Sequence, residues 1–132
     1  EKYCKPIARD IVGRSKREAV SCPITIMGHS LGGNESSKFA NYLASRGVAV
    51  DLVVTFDPVE TGRVGKNIGE VVNYYLPMAR EDNRIHAAAG FEGTLKNIDV
   101  TSDASITHTN VEKNRAFQNA SIKKAVALTS AL

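Results

Sequence analysis

The sequence predicts an α/β fold: a mostly parallel sheet of about four strands with helices on its faces. Three observations carry that expectation. Helical and strand patterns alternate along the chain. The strand segments are short; Ile24–Met27 is apolar throughout, as in sheets covered on both sides, and Val48–Phe56 is rich in β-branched residues. A tight glycine-rich turn, Gly28–Gly33, separates a strand pattern from a helix pattern. At 132 residues the chain fits one domain, 1–132.

Residues 6–19 predict a helix, with Ile7, Ile11, Val12 and Ala19 at helical spacing and Arg9, Arg14, Lys16 and Arg17 on other faces. Pro6 suits its first turn, and Ser21-Cys22-Pro23 ends it. Ile24–Met27 reads as a short strand buried on both faces. The glycine turn follows, and a helix runs from about Gly33 to Arg46. Phe39, Ala40, Leu43 and Ala44 form its apolar stripe, and Gly47 stands at the C-cap. Val48–Phe56 is a second strand, ended by Asp57-Pro58 because proline cannot continue the ladder. Thr61–Gly69 reads as a loop, Val71–Leu76 as a third strand with Tyr74 and Tyr75 as core and edge, and Pro77–Gly93 as a long loop. Leu95–Val100 is a fourth strand. Thr101–Asn110 is polar, and from Val111 a final helix offers Phe117, Ile122, Ala125, Val126 and Leu128 for burial.

Composition narrows the partners. The net charge of +3 and isoelectric point of about 9.0 come from scattered basic residues, which read as a solvated surface and not a nucleic-acid patch. Four Tyr, four Phe and no Trp are too few for a base-stacking platform. No apolar run approaches the roughly 20 residues of a membrane span, and no signal-peptide pattern is present. Cys4 and Cys22 stand at opposite ends of the first helix, about 20 Å apart at about 1.5 Å per residue. A disulfide needs about 7 Å, so two free thiols are expected. Three histidines and dispersed carboxylates lack metal-ligand spacing, so no metal or other cofactor is expected.

Chemistry concentrates where a parallel sheet gathers it, at the carboxyl ends of its strands. Ser30 follows the first strand, Asp57 ends the second, and His108 lies in the loop after the fourth. A serine hydroxyl is a weak nucleophile and needs a base; neutral imidazole is one near pH 7. A carboxylate fixes the imidazole tautomer and stabilises the imidazolium that forms. Gly28 and Gly32, flanking Ser30, carry no Cβ, so the turn can close and the helix can approach the strand. The N–H of Leu31, at the positive end of the following helix, suits an oxyanion. His29 neighbours the serine on a sharp turn, points elsewhere, and reads as structural or pocket-lining. His86 reads as a surface or lid residue, and Glu70 and Glu92 as solubilising.

Gly28-His29-Ser30-Leu31-Gly32-Gly33, the Val53–Val59 segment with its Asp57-Pro58, and Thr107-His108-Thr109-Asn110 together resemble the α/β-hydrolase superfamily, on its lipase and thioesterase-like side. The similarity covers nearly the whole chain and corresponds to the C-terminal portion of the usual domain. It implies a serine hydrolase of ester or thioester bonds, acting on a small acyl-ester or lipid-like substrate through an acyl-enzyme. Ser30 would be nucleophile, His108 base and Asp57 acid, with the Leu31 N–H as an oxyanion donor. In other branches the acid follows the next strand, where this chain offers Glu81 or Asp82; Asp82 is the alternative acid.

The chain also departs from the pattern. A complete member has several strands before the elbow strand, and one of their connections supplies the second oxyanion N–H. Only a helix precedes Ile24 here, so the usual N-terminal strands are expected to be lacking. The elbow strand would then be an uncovered sheet edge that invites homo-oligomerisation. This departure motivates the alternative: a catalytically weak or inactive hydrolase-derived fragment that serves as an interaction or assembly scaffold.

Overall fold

The computed structural model describes residues 4–18 and 22–130, and within these the side chains of Cys4, Arg17, Glu18 and Ser130 are left aside. The chain is α/β. Its elements are α1 (Cys4–Glu18), β1 (Thr25–His29), α2 (Leu31–Ser45), β2 (Val50–Phe56), β3 (Gly62–Val64), β4 (Ile68–Tyr75), β5 (Ile85–Ala87), β6 (Thr94–Asp99) and α3 (Arg115–Ser130). The main sheet is parallel throughout, in the order β1-β2-β4-β6.

Side-chain alternation along β2 and β4 divides the interior into two cores. On one face Val53 and Val71 pack with Ala40, Leu43 and Ala44 of α2 and Ala8 of α1. On the other, Leu52, Val54, Phe56, Val72 and Tyr74 pack against Phe117, Ala125 and Leu128 of α3. Tyr74 stacks between Phe56 and Phe117, with ring centroids 5.6 and 4.3 Å away. Glu70 does more than solubilise: its carboxylate accepts from Lys124 Nζ at 2.6 Å and ties β4 to α3.

Several sequence expectations shift. Among the described residues β1 is an edge strand, with no strand on its outer side, and it is only part-buried, with Met27 43% exposed. Ile7 faces solvent and Ala8 takes the buried position on α1. The buried stripe of α3 is Phe117, Ser121, Ala125 and Leu128. Ile122 and Val126 lie one residue round the helix and are each 56% exposed. The final helix also starts late. A 3₁₀ turn at Val111–Lys113 precedes Asn114, which is extended, and its side chain caps α3 by accepting the Phe117 N–H. Gly47 takes φ 83° at the end of α2, as expected of its position. Cys22 is a free, exposed thiol; the Cys4 side chain and Ala19 lie outside the described residues.

Both segments expected to be loops contain a short strand. β3 and β5 pair in parallel as a second, two-stranded sheet. They are held to the main body by asparagine side chains that use both ends of the amide. Asn41 on α2 accepts the Gly65 N–H and donates to the Arg63 carbonyl. Asn97 on β6 accepts the Ile85 N–H and donates to the Ile85 carbonyl. Asn34 does the same for the turn after β2, through the Val59 N–H and the Glu60 carbonyl.

A polar row crosses the sheet beneath β5. Thr55, Asn73 and Asn97 stand in register on β2, β4 and β6. Thr55 and Asn73 are fully buried. The Thr55 hydroxyl donates to Asn73 Oδ1 at 2.7 Å, and Asn73 Nδ2 donates to Asn97 Oδ1 at 3.0 Å and to the Asn83 carbonyl at 3.1 Å. The Asn73→Leu variant keeps the size but strips the Thr55 hydroxyl and the Asn83 carbonyl of their partner, while Asn97 Oδ1 keeps the Ile85 N–H. Each orphaned buried group costs about 1–3 kcal/mol, so a loss of about 2–5 kcal/mol is expected. Urea unfolding, compared at equal slope, measures it.

Candidate active site

β1 and β2 end side by side, with His29 paired to Phe56, and Phe56 is paired in turn to Tyr74 of β4. The ladder continues one residue past each strand. The Ser30 N–H donates to the Phe56 carbonyl at 3.0 Å, and the Asp57 N–H donates to the Tyr74 carbonyl at 2.7 Å. At that residue each chain turns sharply. Ser30 has φ 59°, ψ −125°, and Asp57 has φ 48°. Positive φ is uncommon for side-chain-bearing residues and costs of order 1–3 kcal/mol each where the backbone is forced out of its wells. The turn at Ser30 lifts its side chain above the sheet, at the head of α2.

The turn is enforced from below. A Cβ on Gly28 would lie 2.2 Å from the Gly32 carbonyl oxygen and 2.3 Å from Ser36 Oγ, which itself donates to that carbonyl. A Cβ on Gly33 would meet the Gly28 carbonyl oxygen and Pro58 Cβ, each at 3.4 Å. Gly32 is different: a Cβ there meets nothing within 4 Å. The expectation that both flanking glycines are needed for closure therefore holds for Gly28 alone.

His108, in the loop after β6, comes down onto both strand ends. Its Nδ1 lies 2.5 Å from Asp57 Oδ2, and its Nε2 lies 2.9 Å from Ser30 Oγ. A carboxylate only accepts, so Nδ1 carries the hydrogen in neutral His108 and Nε2 is left as acceptor for the serine hydroxyl. Three residues separated by up to 78 positions thus form one relay, Ser30 to His108 to Asp57. Asp57 is buried, and its other oxygen is engaged too. Oδ1 accepts the Leu76 N–H at 2.9 Å and the Asn83 amide at 3.0 Å. Three donors from three segments hold the carboxylate in one orientation.

Asn83 was not among the residues picked out in the sequence. It is 1% exposed, donates to the Leu76 carbonyl as well as to Asp57, and its own carbonyl is held by Asn73. The signals that could have found this arrangement are Asn73 and Asn97, polar residues inside otherwise strand-like runs.

Asp82, the alternative acid, is occupied elsewhere. Oδ1 accepts the Arg84 N–H and Nε–H, each at 3.0 Å, and Oδ2 lies 2.6 Å from His86 Nε2. The bonds from Arg84, then His86, hold its carboxyl well below the usual carboxylate range. His86 is on β5 and pairs with Asp82, away from the relay. A groove of about 400 Å³ over residues 77–84, with Tyr75, Pro77, Arg80 and Glu81 in its wall, includes Asn83 but none of Ser30, Asp57 and His108.

Leu31 opens α2, so its N–H has no carbonyl a turn earlier in the helix to bond; its side chain is 67% exposed beside Ser30. Among the described residues no three His, Cys, Asp or Glu side chains gather as a metal site would require, and no helix is long and apolar enough to cross a membrane.

The chain matches no protein-family model, and neither the curated proteins nor the solved structures contain a significant match to it.

The glycines make a sharp local prediction. Gly28→Ala is expected to disrupt the turn, lowering the melting temperature by several degrees or leaving no folded protein. Gly32→Ala is expected to fold as well as the parent, or slightly better, since alanine favours a helix over glycine by up to about 1 kcal/mol. Paired thermal unfolding curves check both.

Proposed function

We propose that the chain is a serine hydrolase of carboxylic ester or thioester bonds, of the α/β-hydrolase kind on its lipase and thioesterase-like side. One observation carries the reading: a serine on a positive-φ strand-to-helix turn, 2.9 Å from an imidazole whose other nitrogen is 2.5 Å from a buried carboxylate. In neutral His108 these bonds place the hydrogen on Nδ1 and leave Nε2 to accept from the serine hydroxyl, the tautomer a general base needs.

The steps follow from those bonds. Ser30 Oγ attacks the acyl carbonyl carbon as its proton passes to His108 Nε2. The tetrahedral oxyanion lies toward the first turn of α2, where the Leu31 N–H and the helix dipole favour negative charge. Collapse expels the alcohol or thiol, which takes the proton from Nε2 and leaves an acyl-Ser30 ester. Water then enters, His108 removes its proton, and a second collapse releases the carboxylic acid and restores Ser30. Asp57 stays ionised and stabilises the imidazolium in both halves. A small acyl-ester or lipid-like substrate is consistent with the exposed apolar side chain of Leu31 next to the nucleophile.

Hydrolysis of short p-nitrophenyl esters and thioesters tests this. Ser30→Ala is expected to cut turnover by more than about 10⁴-fold, the scale seen when a serine nucleophile is removed. A fluorophosphonate probe is expected to label the parent stoichiometrically at Ser30. A folded protein that neither turns over esters nor takes the label would instead fit an inert, hydrolase-derived scaffold.

A further inference from the structure

His29 immediately precedes the proposed nucleophile, and its ring does not contact Ser30 in any hydrogen bond; it turns to the far side of His108. Its Nε2 lies 2.5 Å from the His108 main-chain carbonyl oxygen and 3.2 Å from Glu112 Oε2. Both neighbours are acceptors, so Nε2 carries the hydrogen and donates it to the carbonyl. Glu112 Oε2 is buried and has no hydrogen-bond partner among the described residues, which leaves a carboxylate oxygen facing the same N–H. The two imidazole rings lie 5.1 Å apart, tilted by 37°.

The loop around His108 explains why such a contact matters. Ile106 and Val111 anchor it in the apolar core, 8% and 0% exposed. Between them Thr107–Asn110 is exposed and braced mainly on itself, through Asn110 to the Thr107 N–H and the Ser105 carbonyl. Neither Ser30 nor Asp57 touches the His108 main chain; both hold its ring. Two ring contacts leave the backbone free to swing about them, and a fixed carbonyl removes that freedom.

We propose that His29 is a positioning residue for His108: its Nε2–H clamps the His108 carbonyl, with the nearby Glu112 carboxylate favouring the tautomer that carries the hydrogen on Nε2. The kinetic consequence rests on the hydrolase reading; the clamp itself does not. Misplacing a reacting group by about 1 Å costs about a hundredfold in rate.

His29→Leu removes the donor, while His29→Gln keeps an amide N–H at the reach of Nε2. With fluorophosphonate labelling of Ser30 and p-nitrophenyl ester hydrolysis, His29→Leu is expected to lower the labelling rate and kcat by tenfold or more with KM little changed. His29→Gln is expected to restore most of both. In proton NMR the low-field signal of the hydrogen bond between His108 Nδ1 and Asp57 is expected in the parent and His29→Gln, and broadened or lost in His29→Leu. His29→Asn, whose shorter amide falls short of the carbonyl, replaces His29→Leu if the latter does not fold. A folded His29→Leu or His29→Asn that keeps the parent's NMR signal and labelling rate overturns the clamp. If Ser30→Ala hydrolyses esters as fast as the parent, the hydrolase reading falls, and the NMR signal alone decides the clamp.

Discussion

The arrangement at the top of the sheet depends on a buried amide. Asn73 lies in the central part of the sheet where an apolar residue would be the default, and it joins β2, β6 and the segment before β5 through hydrogen bonds of 2.7 to 3.1 Å. Through the Asn83 carbonyl it sets the height of residue 83, and through Asn83 the direction of Asp57 Oδ1. A valine at the same place could fill the space, but van der Waals contact is indifferent to small rotations, whereas an amide with its donors and acceptor engaged is not. Buried polar networks of this kind are costly when incomplete and rigid when complete. Here completeness reaches the carboxylate that orients His108.

The second constraint is backbone strain concentrated at two adjacent strand ends. Ser30 and Asp57 both have positive φ, and both donate their N–H to the neighbouring strand before turning. The sheet therefore fixes where the turn begins, and Gly28 and Pro58 help fix how it closes. With the ends of β1 and β2 in register, two side chains are delivered on the same side at a separation that one imidazole bridges. Orientation is thus built into the main chain, and no side chain has to search for it.

Much of this was legible in the sequence, and the gaps have physical reasons. The alternation of helix and strand was readable because β1, β2 and β4 carry apolar runs and each long helix an apolar stripe. Ser30, Asp57 and His108 were readable because a parallel sheet collects the residues that follow its strands. β3 and β5 were not, since three residues carry no period, and what holds them is side-chain amides from α2 and β6 and not a ladder with the main sheet. Exposure of Ile7, Ile122 and Val126 was hidden because adjacent residues on a helix compete for one face, and small residues, Ala8 and Ser121, took the tight positions. Asn83 was hidden because its role is defined by Asp57 and Asn73, distant in sequence by 26 and 10 residues.

The segment over residues 77–84 has one more implication. Residues 77–81 are exposed, and Asn83 is the point at which the segment is fastened beneath Asp57. Local opening of such a segment is governed by its own free energy, smaller than that of the whole domain. Every excursion that lifts Asn83 removes one of the two donors from Asp57 Oδ1, so the population with a fully braced carboxylate equals the closed fraction. That fraction saturates early: about 1.4 kcal/mol of closing free energy already gives about ten closed molecules for each open one. The fastening therefore has to be only modestly stable, and sequence drift along the exposed part of the segment is buffered as long as Asn83 and the buried row beneath it persist.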